Sequence, residues 1–312
     1  MTPVAHEPQT AGRWLPRDTV AIAETARYAC VLEVSAPKPG NVSPGRPFAD
    51  VRYEDFVASA DAICEPLAGV DARPLGETIL RAVEATARVT RANTNLGIVL
   101  LLAPLARAAA RLRSTAEPDD RLSALRTEAR QVLAETTVDD ARKVFQAIRL
   151  ANPGGLGRAD DQDVAHEPTV TLREAMQLAT DRDGIAREYT TAFALTFQQA
   201  SALVRARGEG LTWPDAVVET FLTLLAAHPD THIARRAGDD RAARVSEMAR
   251  NVLASGGVRT QAGRLAVAEM DRSLRDPRNL ANPGTTADVT AAAIFVALLI
   301  SGGVSALSQE ES

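Results

Sequence analysis

The chain predicts an all-α protein, and three observations carry that prediction. Apolar residues recur at helical spacing over nearly all of the 312 residues. No segment sustains the period-two alternation of a half-buried strand. Aromatic residues make up only 4%, while Ala and Arg, both good helix formers, abound. At 46% hydrophobic and 24% charged, the chain has enough apolar material for a sizeable core. No Gly/Ser-rich linker or shift of composition divides it. The expectation is one domain of about a dozen helices over residues 18–303, with a disordered tail at 1–17 and a short one at 304–312.

Breaking and capping residues place the elements. A first helix over 18–35 is ended by Pro37-Lys38-Pro39-Gly40. Helices follow at 53–65, 75–91 and 95–112, the last strongly apolar and expected to kink at Pro104. A polar stretch at 114–120 precedes a helix over 121–135. Thr137 with Asp140, and Thr171 with Glu174, read as capping boxes that open further helices. Between them, Asn152-Pro153-Gly154-Gly155-Leu156-Gly157 breaks the pattern, and 158–169 reads as a long exposed loop of the kind that serves function. One long helix is expected from Gly184 to Arg207. Thr212 and Asp215 cap the next, which ends near His228. Helices at 231–237, 239–254, 258–273 and 286–301 complete the chain, the last opened by a capping box at Thr285 and Asp288.

Charge and apolar content exclude several classes. A net charge of −5 with both signs interspersed argues against a nucleic-acid or anionic-membrane binder. The most apolar runs, Leu96–Leu105 and Ala291–Ile300, are too short to span a bilayer. Residues 1–17 lack an apolar signal core, so a cytoplasmic protein is expected. Cys30 and Cys64 sit in apolar helical patterns and read as core thiols.

Four polar clusters at helix ends could carry chemistry. The first joins Glu33, on the last turn of the opening helix, to Lys38, Gly40 and Asn41. Lys occurs only at Lys38 and Lys143 among 35 basic residues, and a compact ammonium between two prolines suits point contact with phosphate. The second, Asn93-Thr94-Asn95, caps an apolar helix or presents amides to a pocket. The third is Asp230-Thr231-His232 with Arg235 and Arg236, a carboxylate, an imidazole and two guanidiniums within two turns. The fourth, Asn282-Pro283-Gly284-Thr285-Thr286 with Asp288, sets free backbone N–H groups at a helix start, a physical anion site. Asp288 fits beside an anion if Mg²⁺ bridges the two. Asp181 and Glu188 share a face if a helix runs through Gly184, which makes them a further carboxylate pair; Asp183 and Arg187 would form an i,i+4 ion pair there.

These stretches together resemble the triphosphoribosyl-dephospho-CoA synthase family (ATP:dephospho-CoA triphosphoribosyltransferases). The matching residues are Glu33-Val34-Ser35 through Pro37-Lys38-Pro39-Gly40, Asn93-Thr94 with Gly97, Asp230-Thr231 with Arg235 or Arg236, and Pro283-Gly284 with Ala287-Asp288. The resemblance implies an all-helical enzyme that uses ATP as substrate and Mg²⁺ as cofactor. It would move the triphosphoribosyl group of ATP to the ribose 2′-hydroxyl of 3′-dephospho-CoA and release adenine. On that basis Lys38, Arg235, Arg236 and Gly284–Thr286 are expected near the triphosphate, and Asp230 and Asp288 as Mg²⁺ ligands, with Asp181 and Glu188 as a second choice. Glu33 and Asp230 are expected as catalytic carboxylates, Glu33 serving as a base or as a structural anchor. Partners would be small nucleotides, with a homodimer compatible and no nucleic acid or membrane. Departures from the family pattern stand at Asn41-Val42-Ser43, Asn95-Leu96, Ala234 to Gly238 and Thr285-Thr286. They resemble a divergent, archaeal-type branch and leave two alternatives, a related enzyme of methanopterin- or methanofuran-type one-carbon cofactor synthesis, or a non-catalytic helical nucleotide-binding or scaffold protein.

Overall fold

Every regular element of the described residues, 18–112 and 120–302 of the computed structural model, is helical. In chain order these are α1 (Thr19–Ser35), α2 (Tyr53–Ala62), α3 (Cys64–Ala68), α4 (Leu75–Val89), α5 (Leu96–Arg111), α6 (Arg121–Ala134), α7 (Val138–Ala151) and α8 (Leu172–Ala179). They continue as α9 (Gly184–Thr190), α10 (Ala194–Gly208), α11 (Trp213–Ala227), α12 (Thr231–Ala237), α13 (Asp239–Ala254), α14 (Gln261–Leu274) and α15 (Gly284–Ile300). Both tails and most of the 114–120 stretch lie outside the described residues. No helix among the described residues is long and apolar enough to cross a membrane.

The core is organised around α15. Most of its 17 residues are buried, on every side, as expected for a helix with no polar face. It packs on α1, α5, α10 and α11. Side chains such as Ile294, Phe295, Leu298 and Leu299 leave water completely or nearly so, each contributing roughly 1.5–3 kcal/mol. Cys30 joins this core, whereas Cys64 is only half-buried.

Capping chemistry fixed most helix starts where the sequence placed them. Thr137, Thr171, Thr212 and Asp230 each accept a backbone N–H at their helix N-termini. Three expectations fail, each where a distant group overrides local pattern. The helix expected at 184–207 breaks into α9 and α10, with Ala192 and Phe193 at positive φ. Buried Glu188 accepts N–H bonds from Leu195 (3.2 Å) and Thr196 (2.9 Å), while Arg126 donates to the carbonyls of Thr191 and Ala192. The helix at 53–65 divides at Ile63 into α2 and α3. The last helix starts at Gly284 with no side-chain cap, because Thr286 is bonded to Asp230 and the Thr285 hydroxyl to that of Thr231.

Pro104 lies inside α5. Lacking an N–H, it leaves the Leu100 carbonyl without its usual donor one turn back. The buried Tyr189 hydroxyl of α9 donates to that carbonyl at 2.7 Å. Tyr189→Phe should therefore cost about 1–3 kcal/mol, the penalty for an unsatisfied buried acceptor, read as a lower urea midpoint; an unchanged midpoint would contradict this role.

Candidate active-site cleft

The N-termini of α9, α12 and α15 converge on one cleft. The Gly184 N–H donates to the Thr231 hydroxyl (3.0 Å), and the Thr231 and Thr285 hydroxyls are hydrogen-bonded at 3.1 Å. Asp230 links α12 to α15: Oδ1 accepts from Ile233 N (3.0 Å), and Oδ2 accepts from the N–H and hydroxyl of Thr286, both at 2.7 Å. Burial raises the Asp230 carboxyl and these bonds oppose the rise. Its oxygens are committed inside the protein, and Asp230 is absent from the lining of the cleft.

The cleft has two halves that share Asn93, Leu96, Gly97, His232 and Asp288 as a common wall. The outer half, about 1340 Å³ including its open mouth, lies between α5, α7–α9, α12 and the 153–164 loop. The inner half, about 620 Å³, is lined by Glu33, Asn41, Thr94, Asn95, Asn282 and Gly284, with Val34, Val42, Phe48, Phe56 and Ile98.

Asp288 stands at the junction. Its Oδ2 lies 2.0 Å from where a Cβ on Gly97 would stand, so only glycine leaves room for it. Burial is the main reason its carboxyl titrates well above the usual range, with the nearby Glu33 and Asp230 carboxylates adding to it. Across the junction, the His232 ring packs on Gly284, whose Cβ would come within 3.2 Å of it. Burial, with Arg235 and Arg236 alongside, lowers the imidazole to about 4, so it is neutral at pH 7.

Several expected site residues turn elsewhere. Lys38 is 1% exposed and lines neither half. Its ammonium pairs with Glu33 at 3.0 Å and donates to the backbone carbonyls of Glu33 and Ala36. Gly40, at φ +72°, packs on Leu274 and Pro283 and donates to Asp271 at 2.9 Å, so its freedom serves packing. Arg236 donates to the carbonyls of Asn279 (2.9 Å) and Arg278 (2.8 Å). Thr286 is held by Asp230. Asp181 is exposed in a turn, and Glu188 is buried capping α10, so they form no pair. Asp183 does not pair with Arg187; its carboxylate caps α9 and holds Arg235 at 2.6 Å.

The remaining expected residues do gather. Glu33, Asn41, Asn93, Thr94, Asn95, His232, Asn282, Gly284 and Asp288 line the inner half, while Arg235 and Thr285 line the outer. Sequence reasoning missed Arg158 and Arg182, exposed arginines in the outer half with no ion pair among the described residues, and the aromatic wall of Phe48 and Phe56. The scarcity of Phe was a usable signal for the last two; the arginines had none. The 158–169 segment is an ordered wall. Asp163 accepts from the N–H groups of Ala159 (2.6 Å) and Ala165 (2.8 Å), and Arg149 donates to Val164 O at 2.7 Å.

Lys38→Ala would strand the Glu33 carboxyl in the core, and the expected loss is about 3–5 kcal/mol of stability. Urea unfolding checks this, and adding Glu33→Gln should recover part of the loss. Gly97→Ala should displace the Asp288 carboxylate from the junction and abolish ATP binding there, as calorimetry would record, with circular dichroism showing that the helices are kept.

A sequence profile for ATP:dephospho-CoA triphosphoribosyl transferases matches residues 19–305. A crystal structure of an Archaeoglobus fulgidus protein, assigned as a triphosphoribosyl-dephospho-CoA synthase, is 30% identical with a TM-score of 0.59, covering 78% of this chain and 98% of that one. Proteins of Pseudomonas paraeruginosa and Pseudomonas aeruginosa, assigned as 2-(5''-triphosphoribosyl)-3'-dephosphocoenzyme-A synthases, are each 37% identical, over 94 and 103 residues. Those alignments cover 30% and 32% of this chain and span only 31% and 34% of the relatives' lengths. The profile match takes in every helix from α1 to α15 and both halves of the cleft, and the chain belongs to the ATP:dephospho-CoA triphosphoribosyl transferase family.

Proposed function

We propose that the protein transfers the 5-triphosphoribosyl group of ATP to the ribose 2′-hydroxyl of 3′-dephospho-CoA, with release of adenine. The C1′–N9 bond of ATP breaks and a C1′–O2′ bond forms; the hydroxyl loses a proton and the departing adenine gains one. The observation that carries this reading is the carboxyl of Asp288 at the junction of a two-part cleft, in a chain matched by the family profile from end to end of its fold. Once ionised, that carboxyl would oppose the positive charge that builds on C1′ as the glycosidic bond stretches; burial raises its titration, and a bound cation would lower it again. Glu33 and Asp288 are the two carboxyl groups of the inner half and are available for the proton transfers.

Mg²⁺ belongs to the proposal on narrower ground. Among the described residues, no three His, Cys, Asp or Glu side chains converge as a metal cage. That suits an ion that arrives on a polyphosphate, since Mg²⁺ keeps waters and phosphate oxygens and needs only one or two carboxylates. Asp288 would hold it, because its carboxylate faces the cleft and accepts no hydrogen bond from the described residues. Asp230, with its oxygens already engaged, would not. The ion would neutralise phosphate charge.

The test is adenine release by the purified protein with ATP, Mg²⁺ and 3′-dephospho-CoA. Release should require all three, stop with excess EDTA, and fall at least about a hundredfold in Asp288→Asn, the scale of one electrostatic contact to a transition state. Release only with a different acceptor would redirect the proposal to another cofactor substrate. Failure to bind ATP at all would leave a non-catalytic helical protein.

A further inference from the structure

The two halves of the cleft differ in charge, and the difference has a direction. The charged side chains lining the inner half are acidic, Glu33 and Asp288, and His232 is neutral there. Lys38 is spent on Glu33 and on helix carbonyls, and Arg275 behind the wall is spent on Asp271 and the Asn41 carbonyl. A polyphosphate in this half would face carboxyl groups with no Lys or Arg among the lining side chains. The outer half carries Arg158, Arg182 and Arg235. Of its acids, Asp288 is shared with the inner half at the junction, Asp163 is held by backbone N–H groups, and Asp183 by backbone N–H groups and Arg235. Arg158 and Arg182 have no ion-pair partner within 4 Å among the described residues, so both guanidiniums are free to bind an anion.

The inner half has the chemistry of a base pocket. Two aromatic rings, Phe48 and Phe56, line it alongside four Asn side chains. Three of those amides are committed within the chain. Asn41 donates to Pro39 O, Asn93 accepts from Leu96 N, and Asn95 donates to Ser59 O. The fourth, Asn282, makes no such bond, and its carboxamide oxygen is buried without a donor. A buried acceptor left unpaired costs stability unless a ligand N–H completes it. An exocyclic amine on a flat, apolar ring is such a donor, and a carboxamide pairs side by side with the amine and ring nitrogen of adenine.

We infer that the donor nucleotide binds with its adenine in the inner half, against Asn282 and the Phe48–Phe56 wall, and its phosphates in the outer half on Arg158 and Arg182. This rests on the nucleotide-transfer reading and adds an orientation and a base preference to it. The ribose then lies at the junction beside Asp288.

Calorimetric titration of the full chain with AMP, ATP and purine riboside triphosphate, which lacks the 6-amino group, tests this, all with Mg²⁺. Arg158→Gln with Arg182→Gln should weaken ATP by about tenfold or more while changing AMP much less, as expected for lost charged contacts to the outer phosphates. Asn282→Ala should erase a preference of about tenfold for ATP over the amine-free analogue. Each variant is read as a ratio of two ligands, and its melting temperature without ligand separates misfolding from lost recognition. Equal weakening of AMP and ATP, or no weakening, overturns the orientation, and an unchanged preference in Asn282→Ala overturns the base pocket. If the unmodified protein binds none of the three, the parent reading itself falls.

Discussion

One buried carboxylate holds the cleft together. Asp230 caps α12 and, through its other oxygen, binds the N–H and hydroxyl of Thr286 in the first turn of α15. Charge is taken out of water here, which is costly unless each lone pair is used. Three donors use them, and two sit at helix N-termini where negative charge is favoured. The result is a fixed relation between α12, which carries His232 and Arg235, and α15, which carries Asp288. Thr231 extends the same relation to α9. Without this link the junction would have no defined width.

Two glycines set that width from the other side. The Asp288 carboxylate rests where a side chain on Gly97 would be, and the His232 ring rests where one on Gly284 would be. Functional groups approach the backbone directly at both places, and polar atoms gather without widening the cleft. The Gly40 turn does the same for packing, letting the 38–41 segment sit against Leu274 and Pro283.

How far the sequence could be read depended on whether a feature was local. Helix starts with their own caps, such as Thr137 with Asp140, lay at the expected residues because donor and acceptor are three positions apart. The α9–α10 break was invisible because the groups that stabilise it, Glu188 and Arg126, act through the fold and leave the apolar period intact. The same division runs through the site. The polar clusters could be found as interruptions of helical pattern, but the direction of each side chain could not. Lys38 was singled out for its rarity and its two prolines, yet those prolines turn its ammonium back onto Glu33 and the end of α1. Arg158 and Arg182, two among 33 arginines, had nothing to distinguish them until the fold placed both on one cavity.

The central position of α15 bears on how the chain acquires its structure. The helix that α1, α5, α10 and α11 all pack against follows fourteen others in sequence. During synthesis, the apolar faces of those earlier helices emerge long before the surface that covers them. Ribosomes add roughly 5–20 residues per second, so the early helices wait many seconds as an open, sticky assembly. The cleft waits with them, since Asp288 and the partner of Asp230 both arrive on that same late helix. Core and binding site are therefore both incomplete until α15 has been made.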